Sequence, residues 1–359
     1  MRLTANGARH PVRLVSLATA VPGNVIDQRV VQEHARTLFG PRFRDYDRLA
    51  GVFSGTGIEQ RYSVRPVSWF LEQHGWKARM AAYLDGATQL FADVAQRALD
   101  RAGLPAGAID AVVTISSTGV ATPSIEARML PQMGFRADVE RTPVVGLGCA
   151  GGVSGLALAS RLAAARAGTT VLLVAVELCT LAFRLDRATK VNVIATSLFG
   201  DGAAAAIVTT DASLPAIATI AGATEHLWPK TLDIMGWASD DVGLGVLLSR
   251  SLPAFVERRY RESFESASRR LEIDRKSISR PVCHPGGTRV LDAIEAALEL
   301  APGTLDHERS VMRDFGNMSS PTVLFVLERA IAAGLGERTM LAALGPGFTA
   351  SFALLERGA

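Results

Sequence analysis

The stretch Pro143-Val144-Val145-Gly146-Leu147-Gly148-Cys149-Ala150-Gly151-Gly152 runs directly into an Ala- and Leu-rich helical pattern over residues 153–167. An apolar run, a glycine turn and then a long helix place the sulfur of Cys149 at a helix start. The free N–H groups and positive dipole end of a helix N-terminus favour thiolate over thiol. Cys149 is therefore a candidate nucleophile, while a packing role remains open because cysteine is often buried.

The composition predicts a large, well-buried protein in a reducing setting. The chain has 359 residues, of which 48% are hydrophobic and only 20% charged, so it is long enough for two domains or a duplicated one. Three cysteines without a C-x-x-C pair indicate neither a disulfide framework nor a zinc site, and we expect a cytoplasmic protein. The net charge is +3 and the basic residues are scattered, which favours an ordinary solvated surface and suits a phosphorylated small ligand better than nucleic acid.

No membrane segment is predicted. Residues 1–6 lack the apolar core of a signal peptide, and the most apolar run, residues 171–176, is stopped by Glu177.

Strand and helix patterns alternate along the chain. Strands are predicted over residues 12–20, 109–115, 170–176 and 203–208, and helices over residues 28–38, 76–102, 153–167, 192–199 and 254–271. Residues 51–62 are predicted to form a glycine-punctuated loop, and residues 211–255 an irregular segment. The alternation indicates an α/β sheet covered on both faces.

The second part of the chain repeats the order of the first. A strand at residues 281–283 ends in a polar loop, as the strand at 109–115 does, and Gly316-Asn317 precedes a helix as Gly148-Cys149 precedes its own. The next strand follows at almost the same spacing in both cases. The chain is therefore predicted to be duplicated, with one half over residues 1–210 that carries Cys149 and one over 211–359 that carries His284 and Asn317.

Five motifs together carry a family resemblance. They are Gly148-Cys149-Ala150-Gly151-Gly152, Leu198-Phe199-Gly200-Asp201-Gly202, His284-Pro285-Gly286-Gly287, Gly316-Asn317-Met318-Ser319-Ser320 and Gly345-Pro346-Gly347. In this order they resemble the type III polyketide synthases, the chalcone-synthase-like branch of the thiolase superfamily. The resemblance implies an α/β fold of five layers, α-β-α-β-α, from two duplicated halves. It also implies a homodimer that uses acyl-CoA and malonyl-CoA without a cofactor or metal.

The chemistry of three polar residues can be argued without the family. Acyl transfer from a thioester needs a nucleophile ionised near neutral pH, and Cys149 beside an imidazolium of His284 meets that need. Decarboxylation of a malonyl thioester develops an enolate oxygen, for which His284 and the amide of Asn317 are donors. Taken singly, His284 is compatible with a turn residue and Asn317 with a helix cap; taken together they are predicted to form the catalytic set.

Departures from the plant members of the family predict the starter. The resemblance makes Phe199 a gatekeeper at the mouth of the site and puts Val246 where a second gatekeeper phenylalanine stands. Cys179 and Ala182 replace two pocket threonines, so bulk and polarity are lost, while Trp237 replaces a glycine. The stretch around Trp237 also resembles bacterial alkylresorcinol and alkylpyrone synthases. A fatty acyl starter is therefore predicted.

Further site residues follow from the same resemblance. The substrate is predicted to contact Ser117, Ser319, Gly345, Pro346 and Gly347, and coenzyme A to contact Arg48, Arg61, Gly287 and Thr288.

The predicted function is iterative decarboxylative condensation of malonyl-CoA onto a fatty acyl-CoA, then cyclisation to an alkylpyrone or an alkylresorcinol or resorcylic-type product. One alternative is a priming condensing enzyme of the ketoacyl-ACP synthase III type, which lacks the His-Pro-Gly-Gly and Asn-Met-Ser-Ser settings. The other is a non-catalytic partner subunit of thiolase fold, which would be expected to have lost its cysteine.

Overall fold

The computed structural model describes residues 10–358. Residues 1–9 and residue 359 lie outside the described residues, and the prediction made for residues 1–6 concerns that outer part. The strands are β1 Arg13–Ala20, β2 Asn24–Asp27, β3 Gln60–Ser63, β4 Ala111–Ile115, β5 Glu140–Val144, β6 Thr170–Leu178, β7 Asp201–Thr209, β8 Ala218–Leu227, β9 Met235–Ser239, β10 Leu244–Leu248, β11 Arg280–Cys283, β12 Arg338–Gly345 and β13 Thr349–Glu356. The α-helices are α1 Gln28–Phe39, α2 Tyr46–Gly55, α3 Trp76–Ala102, α4 Ile125–Met129, α5 Gly151–Ala164, α6 Lys190–Leu198, α7 Leu252–Arg270, α8 Thr288–Leu298, α9 Asp306–Phe315 and α10 Thr322–Ala332.

Nine strands form one hydrogen-bonded sheet in the order β11-β12-β13-β8-β1-β7-β6-β4-β5. The strands of the first half lie on one side of this order and those of the second half on the other. The two sides meet at β1 and β8, which share only the pairs Arg13↔Thr219 and Leu14↔Ala218. Parallel pairing occurs at corresponding places in the two halves, between β4 and β6 and between β11 and β12.

Three buried apolar clusters define the layers. Helices α5 and α10 lie between the two sets of strands, and their residues Val153 and Val323 share one cluster with strands of both halves. Helix α3 covers the other face of the first set, and α7 with α8 covers the other face of the second. Strands buried on both faces, such as β6, are apolar almost throughout. This is the predicted five-layered α-β-α-β-α fold of two duplicated halves; the residue at which the halves divide stays a prediction.

Two predicted irregular segments contain regular structure. The loop predicted over residues 51–62 holds the end of α2 and the strand β3, and the segment 211–255 holds β8, β9 and β10. Tertiary contacts explain both errors: Tyr46 and Phe53 of α2 are buried in a cluster with α1, and β8 pairs along its length with β13. The alanines and the glycine of β8 obscure the alternation of apolar and polar residues that would mark this strand in the sequence.

Between residues 10 and 358, no helix is long and apolar enough to span a membrane.

Candidate active site

Cys149 lies in a short 3-10 turn, Gly148–Ala150, immediately before α5. Gly148 has a φ of 48° and a Cβ there would lie 2.7 Å from a side-chain carbon of Pro346, so only glycine fits. A Cβ on Gly345 would lie 2.5 Å from the Cβ of Ala150. The predicted Gly345-Pro346-Gly347 stretch therefore packs directly on the turn that carries the sulfur. The carbonyl of Gly347 itself accepts a hydrogen bond from Thr231 Oγ1 at 3.1 Å.

Ser117 holds the same turn from the other side. Its hydroxyl accepts hydrogen bonds from the backbone N–H groups of Gly146 and Gly148, at 3.1 and 3.3 Å. The hydroxyl oxygen of Ser117, which is predicted to contact substrate, is therefore hydrogen-bonded to the backbone that positions Cys149.

Asn317 connects the nucleophile with the histidine loop. Its backbone N–H donates to the carbonyl of Leu198 at 2.9 Å and its own carbonyl accepts from Gly200 at 3.0 Å, so it lies against Phe199. Its side-chain Nδ2 donates to the carbonyl of Gly286 at 3.4 Å, two residues from His284. Burial raises the pKa of the Cys149 thiol, and hydrogen bonding from Asn317 opposes that rise. The structure therefore brings the three predicted catalytic residues to one place.

Ser319 sits in a strained turn next to Asn317. Its φ is 60°, and its N–H donates to Asn317 Oδ1 at 2.7 Å, which holds the amide oxygen in place. Among the hydrogen bonds that lower the pKa of Cys149, the one with the Ser319 side chain has the largest effect.

His284 follows β11, and its backbone N–H donates to the carbonyl of Ala342 at 2.8 Å. The side chain is buried, and within the described residues neither ring nitrogen has a hydrogen-bond partner. Burial lowers the pKa of His284 to about 3, so the ring is neutral at pH 7. Both nitrogens remain available to a bound substrate.

In the substrate-free protein, burial works against the expected thiolate–imidazolium pair, which stays a prediction. Burial raises the pKa of Cys149 to about 11, which outweighs the hydrogen bonds of Ser319 and Asn317, and the nearby Glu177 carboxylate raises it further. Because desolvation disfavours both charged forms, the cysteine and the histidine are both neutral at pH 7.

Glu177 is a site residue that the sequence reasoning missed. It is the last residue but one of β6, is buried, and accepts hydrogen bonds from Ser117 N–H, Thr118 Oγ1 and Ser320 Oγ, at 3.0, 2.8 and 3.1 Å. Burial raises its pKa to about 7. One signal was present: Glu177 is the single charge in the most apolar strand, near its end. It links the loop after β4 with the loop of Asn317, and so joins the two halves.

An apolar cavity of about 70 Å³, partly open to solvent, is lined by Phe199 at the gatekeeper position. Phe199, Val246, Cys179 and Ala182, which the sequence assigned to the substrate pocket, line it. Its remaining walls are largely aliphatic and aromatic and come mainly from α1, from the 3-10 turn at residues 67–71 and from α6: Ile26, Val31, His34, Ala35, Leu38, Phe39, Arg61, Val67, Phe70, Leu71, Thr180, Phe183, Ala195 and Thr196.

Trp237 stands beside this cavity and not in its lining. It pairs with Val246 across the β9–β10 hairpin, and its ring centroid lies 6.3 Å from that of Phe199.

The residues predicted to bind coenzyme A divide into two groups. Arg61 is only 3% exposed, donates from Nη1 to the carbonyl of Phe199 at 2.6 Å and has its pKa lowered to about 10 by burial. It supports the backbone of Phe199 from inside, so its assignment to coenzyme A is wrong. Thr288, after Gly287 at the start of α8, donates to the carbonyl of Thr56 at the end of α2, the helix that carries the exposed Arg48. For these three residues coenzyme A binding stays a prediction.

Family models match both halves of the chain. The N-terminal domain of chalcone and stilbene synthases matches residues 2–212, and the C-terminal domain matches residues 219–356. The chain belongs to the type III polyketide synthases. Enzymes of this family are acyltransferases that condense coenzyme A thioesters with loss of carbon dioxide and need no further cofactor. The predicted condensing activity is confirmed, and the ketoacyl-ACP synthase III and non-catalytic alternatives do not hold.

Bacterial proteins are among the relatives of this chain. The chain is 34% identical to a chalcone synthase-type protein of Bacillus subtilis (strain 168), covering 96% of this chain and 99% of that protein. It is also 34% identical to the 1,3,6,8-tetrahydroxynaphthalene synthase of Streptomyces peucetius subsp. caesius, covering 98% and 96%. The crystal structure of the Streptomyces coelicolor A3(2) enzyme of that name superposes with a TM-score of 0.91 at 29% identity, covering 97% and 99%.

Proposed function

We propose that this polyketide synthase extends a fatty acyl-CoA starter with malonyl-CoA and cyclises the product to an alkylpyrone or an alkylresorcinol or resorcylic-type compound. The observation that carries the proposal is the apolar cavity lined by Phe199. Its lining is dominated by aliphatic and aromatic side chains, and Val246 and Ala182 leave space that larger residues would fill. An alkyl chain gains about 0.8 kcal/mol for each CH₂ that it buries there.

We assign the catalytic steps to Cys149, His284 and Asn317. The Cys149 thiol attacks the starter thioester, its proton passes to the neutral imidazole of His284, and coenzyme A leaves as its thiol. Malonyl-CoA then loses carbon dioxide, and the enolate oxygen accepts hydrogen bonds from His284 and the Asn317 amide. The enolate carbon attacks the acyl-cysteine, a carbon–carbon bond forms, and the cysteine thiolate is released for the next cycle.

The unpaired nitrogens of His284 support this assignment. A buried polar atom without a partner is costly in the free protein, so a substrate group that pairs with it recovers that free energy on binding. A neutral imidazole also offers one donor and one acceptor at once, which suits a residue that receives a proton in one step and donates a hydrogen bond in the other.

A second candidate product follows from the relatives. Two of them are named as tetrahydroxynaphthalene synthases, and their product carries no alkyl chain. Mass spectrometry of products distinguishes the two. We expect little product from malonyl-CoA alone and alkylated products when a series of acyl-CoA starters is added. A naphthalene product from malonyl-CoA alone would favour the second candidate.

We also propose a homodimer in the cytoplasm. Strand β5 ends the nine-stranded sheet with one unpaired edge, and Val145 next to it is 71% exposed. Sedimentation equilibrium tests the dimer, and a monomer at micromolar concentration would contradict it.

A further inference from the structure

The hairpin β9–β10 carries two residues that border the substrate cavity, Trp237 and Val246, yet it lies outside the nine-stranded sheet. A two-stranded hairpin is at best marginally stable alone. Its position, and with it the width of the cavity at Val246, must therefore be fixed by contacts outside its own ladder.

The turn of this hairpin is held by two arginines. Asp240 accepts from Arg184 Nη1 at 2.8 Å and from Nη2 at 3.2 Å, and a third hydrogen bond comes from Arg187 Nη2. The same carboxylate accepts the backbone N–H groups of Val242 and Gly243, at 2.9 and 3.1 Å, which shapes the turn. The side chain of Arg184 is only 2% exposed, so this contact is not an ordinary surface ion pair.

The two arginines connect the turn to the other cavity walls. They lie between the 3-10 turn Cys179–Ala182 and helix α6, which Phe199 follows directly. Asn192 of α6 donates from Nδ2 to the carbonyls of Arg184 and Arg187, at 2.6 and 2.9 Å. The walls that carry Ala182, Phe199 and Val246 are thus joined through one carboxylate.

Asp240 lies among several positively charged side chains, so replacing it removes a negative charge that balances them. Asp186 also pairs with Arg184, at 2.5 Å, and the remaining neighbour with a positive charge is Arg79, which donates to the carbonyl of Leu181. Burial, and then the charge of Arg184, lower the pKa of Arg79, and hydrogen bonding from Arg184 lowers the pKa of Asp240. Without the carboxylate of Asp240, three arginines face one aspartate, and the hairpin turn loses its hydrogen bonds to Arg184 and Arg187.

We propose that Asp240 is a specificity-determining positioning residue, which sets the width of the acyl cavity by clamping the β9–β10 hairpin to Arg184 and Arg187. The inference rests on the proposed fatty acyl function for its effect on starter choice, but not for the clamp itself. Asp240 does not contact the substrate; it acts through the placement of Val246.

The test compares Asp240→Asn with Asp241→Asn, a neighbouring exposed aspartate. Hydrogen exchange followed by mass spectrometry should show faster exchange over residues 235–248 only in Asp240→Asn. In kinetic assays, the ratio of kcat/KM for a long to a short acyl-CoA should shift roughly tenfold in Asp240→Asn, equivalent to about two methylene contacts, and stay unchanged in Asp241→Asn. Acylation of Cys149 by the short starter should be retained.

Each arm has a separate contrary outcome. Unchanged exchange over residues 235–248 in Asp240→Asn would overturn the clamp, whatever the starter. Faster exchange with an unchanged starter ratio would overturn the role in specificity. If the wild type accepts no fatty acyl-CoA, the proposed function fails, and the exchange arm alone still decides whether the clamp exists.

Discussion

The loops that carry the catalytic residues and the wall of the apolar cavity are held in place in opposite ways. On the side of Cys149, hydrogen bonds of Ser117 and Asn317 fix the loops around the thiol, and Glu177 ties the loops of both halves together. On the side of Val246, the wall is apolar, and its position depends on a small hairpin outside the main sheet. The difference indicates that the chemistry is held rigidly by the duplicated core, whereas substrate choice depends on a part that substitutions can shift without disturbing that core.

The largest effect is expected from removing the sulfur of Cys149. Intact-mass analysis after incubation with a starter acyl-CoA should show an acyl adduct on the wild type, and Cys149→Ala should abolish both the adduct and all product. Cys179→Ala is the matched control, because Cys179 is also buried but lines the apolar side. An adduct that maps to Cys179 or Cys283 would show that the nucleophile is wrongly assigned.

Asn317→Ala should separate loading from decarboxylation. An amide cannot act as a base, so acylation of Cys149 should persist while malonyl-CoA decarboxylation falls by about 10²–10³. His284→Ala should impair both steps, since the imidazole also receives the thiol proton. Ser319→Ala is the control for the shared turn, because Ser319 contacts the thiol without a role at the enolate. Equal loss of loading in the Asn317 and His284 variants would contradict this division of roles.

Glu177 should make stability depend on pH. Its pKa is raised from 4.5 to about 7 by burial, so between these values the folded protein keeps a proton that the unfolded chain has lost. Stability conferred by the protonated form is therefore complete at low pH and declines as pH rises towards 7, by up to roughly 3 kcal/mol. Glu177→Gln, which can keep the bonds to Ser117 and Ser320, should remove that decline. Urea unfolding of both proteins from pH 5 to 8 checks this, and parallel pH curves would refute it.

The sequence predicted those features that depend on local pattern. Helix α3 has the predicted bounds because its apolar residues keep helical spacing over its whole length and Gly103 ends it in a left-handed conformation. The meeting of Cys149, His284 and Asn317 was likewise predicted from motifs at strand ends and helix starts.

Features that depend on distant partners were missed. Arg61 is buried against Phe199, 138 residues away in the chain, and Glu177 is bound to Ser320, 143 residues away. The neutral state of Cys149 and His284 follows from burial, which no local pattern reports. The motifs therefore could not predict burial by distant parts of the chain, nor the pKa shifts that this burial causes.

On the apolar side, Val246→Phe should act selectively on long chains. A phenylalanine at the cavity wall blocks only those starters that reach it, so kcat/KM should fall for long acyl-CoA and stay unchanged for a short one. The wild type should in turn prefer medium or long starters by about 0.8 kcal/mol per buried CH₂ until the cavity ends. A loss of kcat/KM that is independent of chain length would show that the cavity is not the acyl site, and it would leave the assignment of the condensing residues unchanged.

Trp237→Gly should give the smallest effect and should test how independent the two sides are. The ring of Trp237 contacts the cavity only through its neighbours, Phe199 at 6.3 Å between ring centroids and Val246 across the hairpin. Removing the indole should let Phe199 and Val246 move outwards, so the longest accepted starter should be one or two carbons longer. Burying those carbons should improve the binding free energy of that starter alone by about 1–2 kcal/mol. Acylation of Cys149 by a short starter should not change, because Trp237 lies on the hairpin with Val246 and not on the loops that carry Cys149, His284 and Asn317. Product profiles across a starter series provide the measurement, with Trp237→Phe as the control that keeps an aromatic ring. If Trp237→Gly reduced loading by short starters as strongly as by long ones, the hairpin would also support the loops around Cys149. The catalytic residues and the apolar cavity wall would then not be independent of each other.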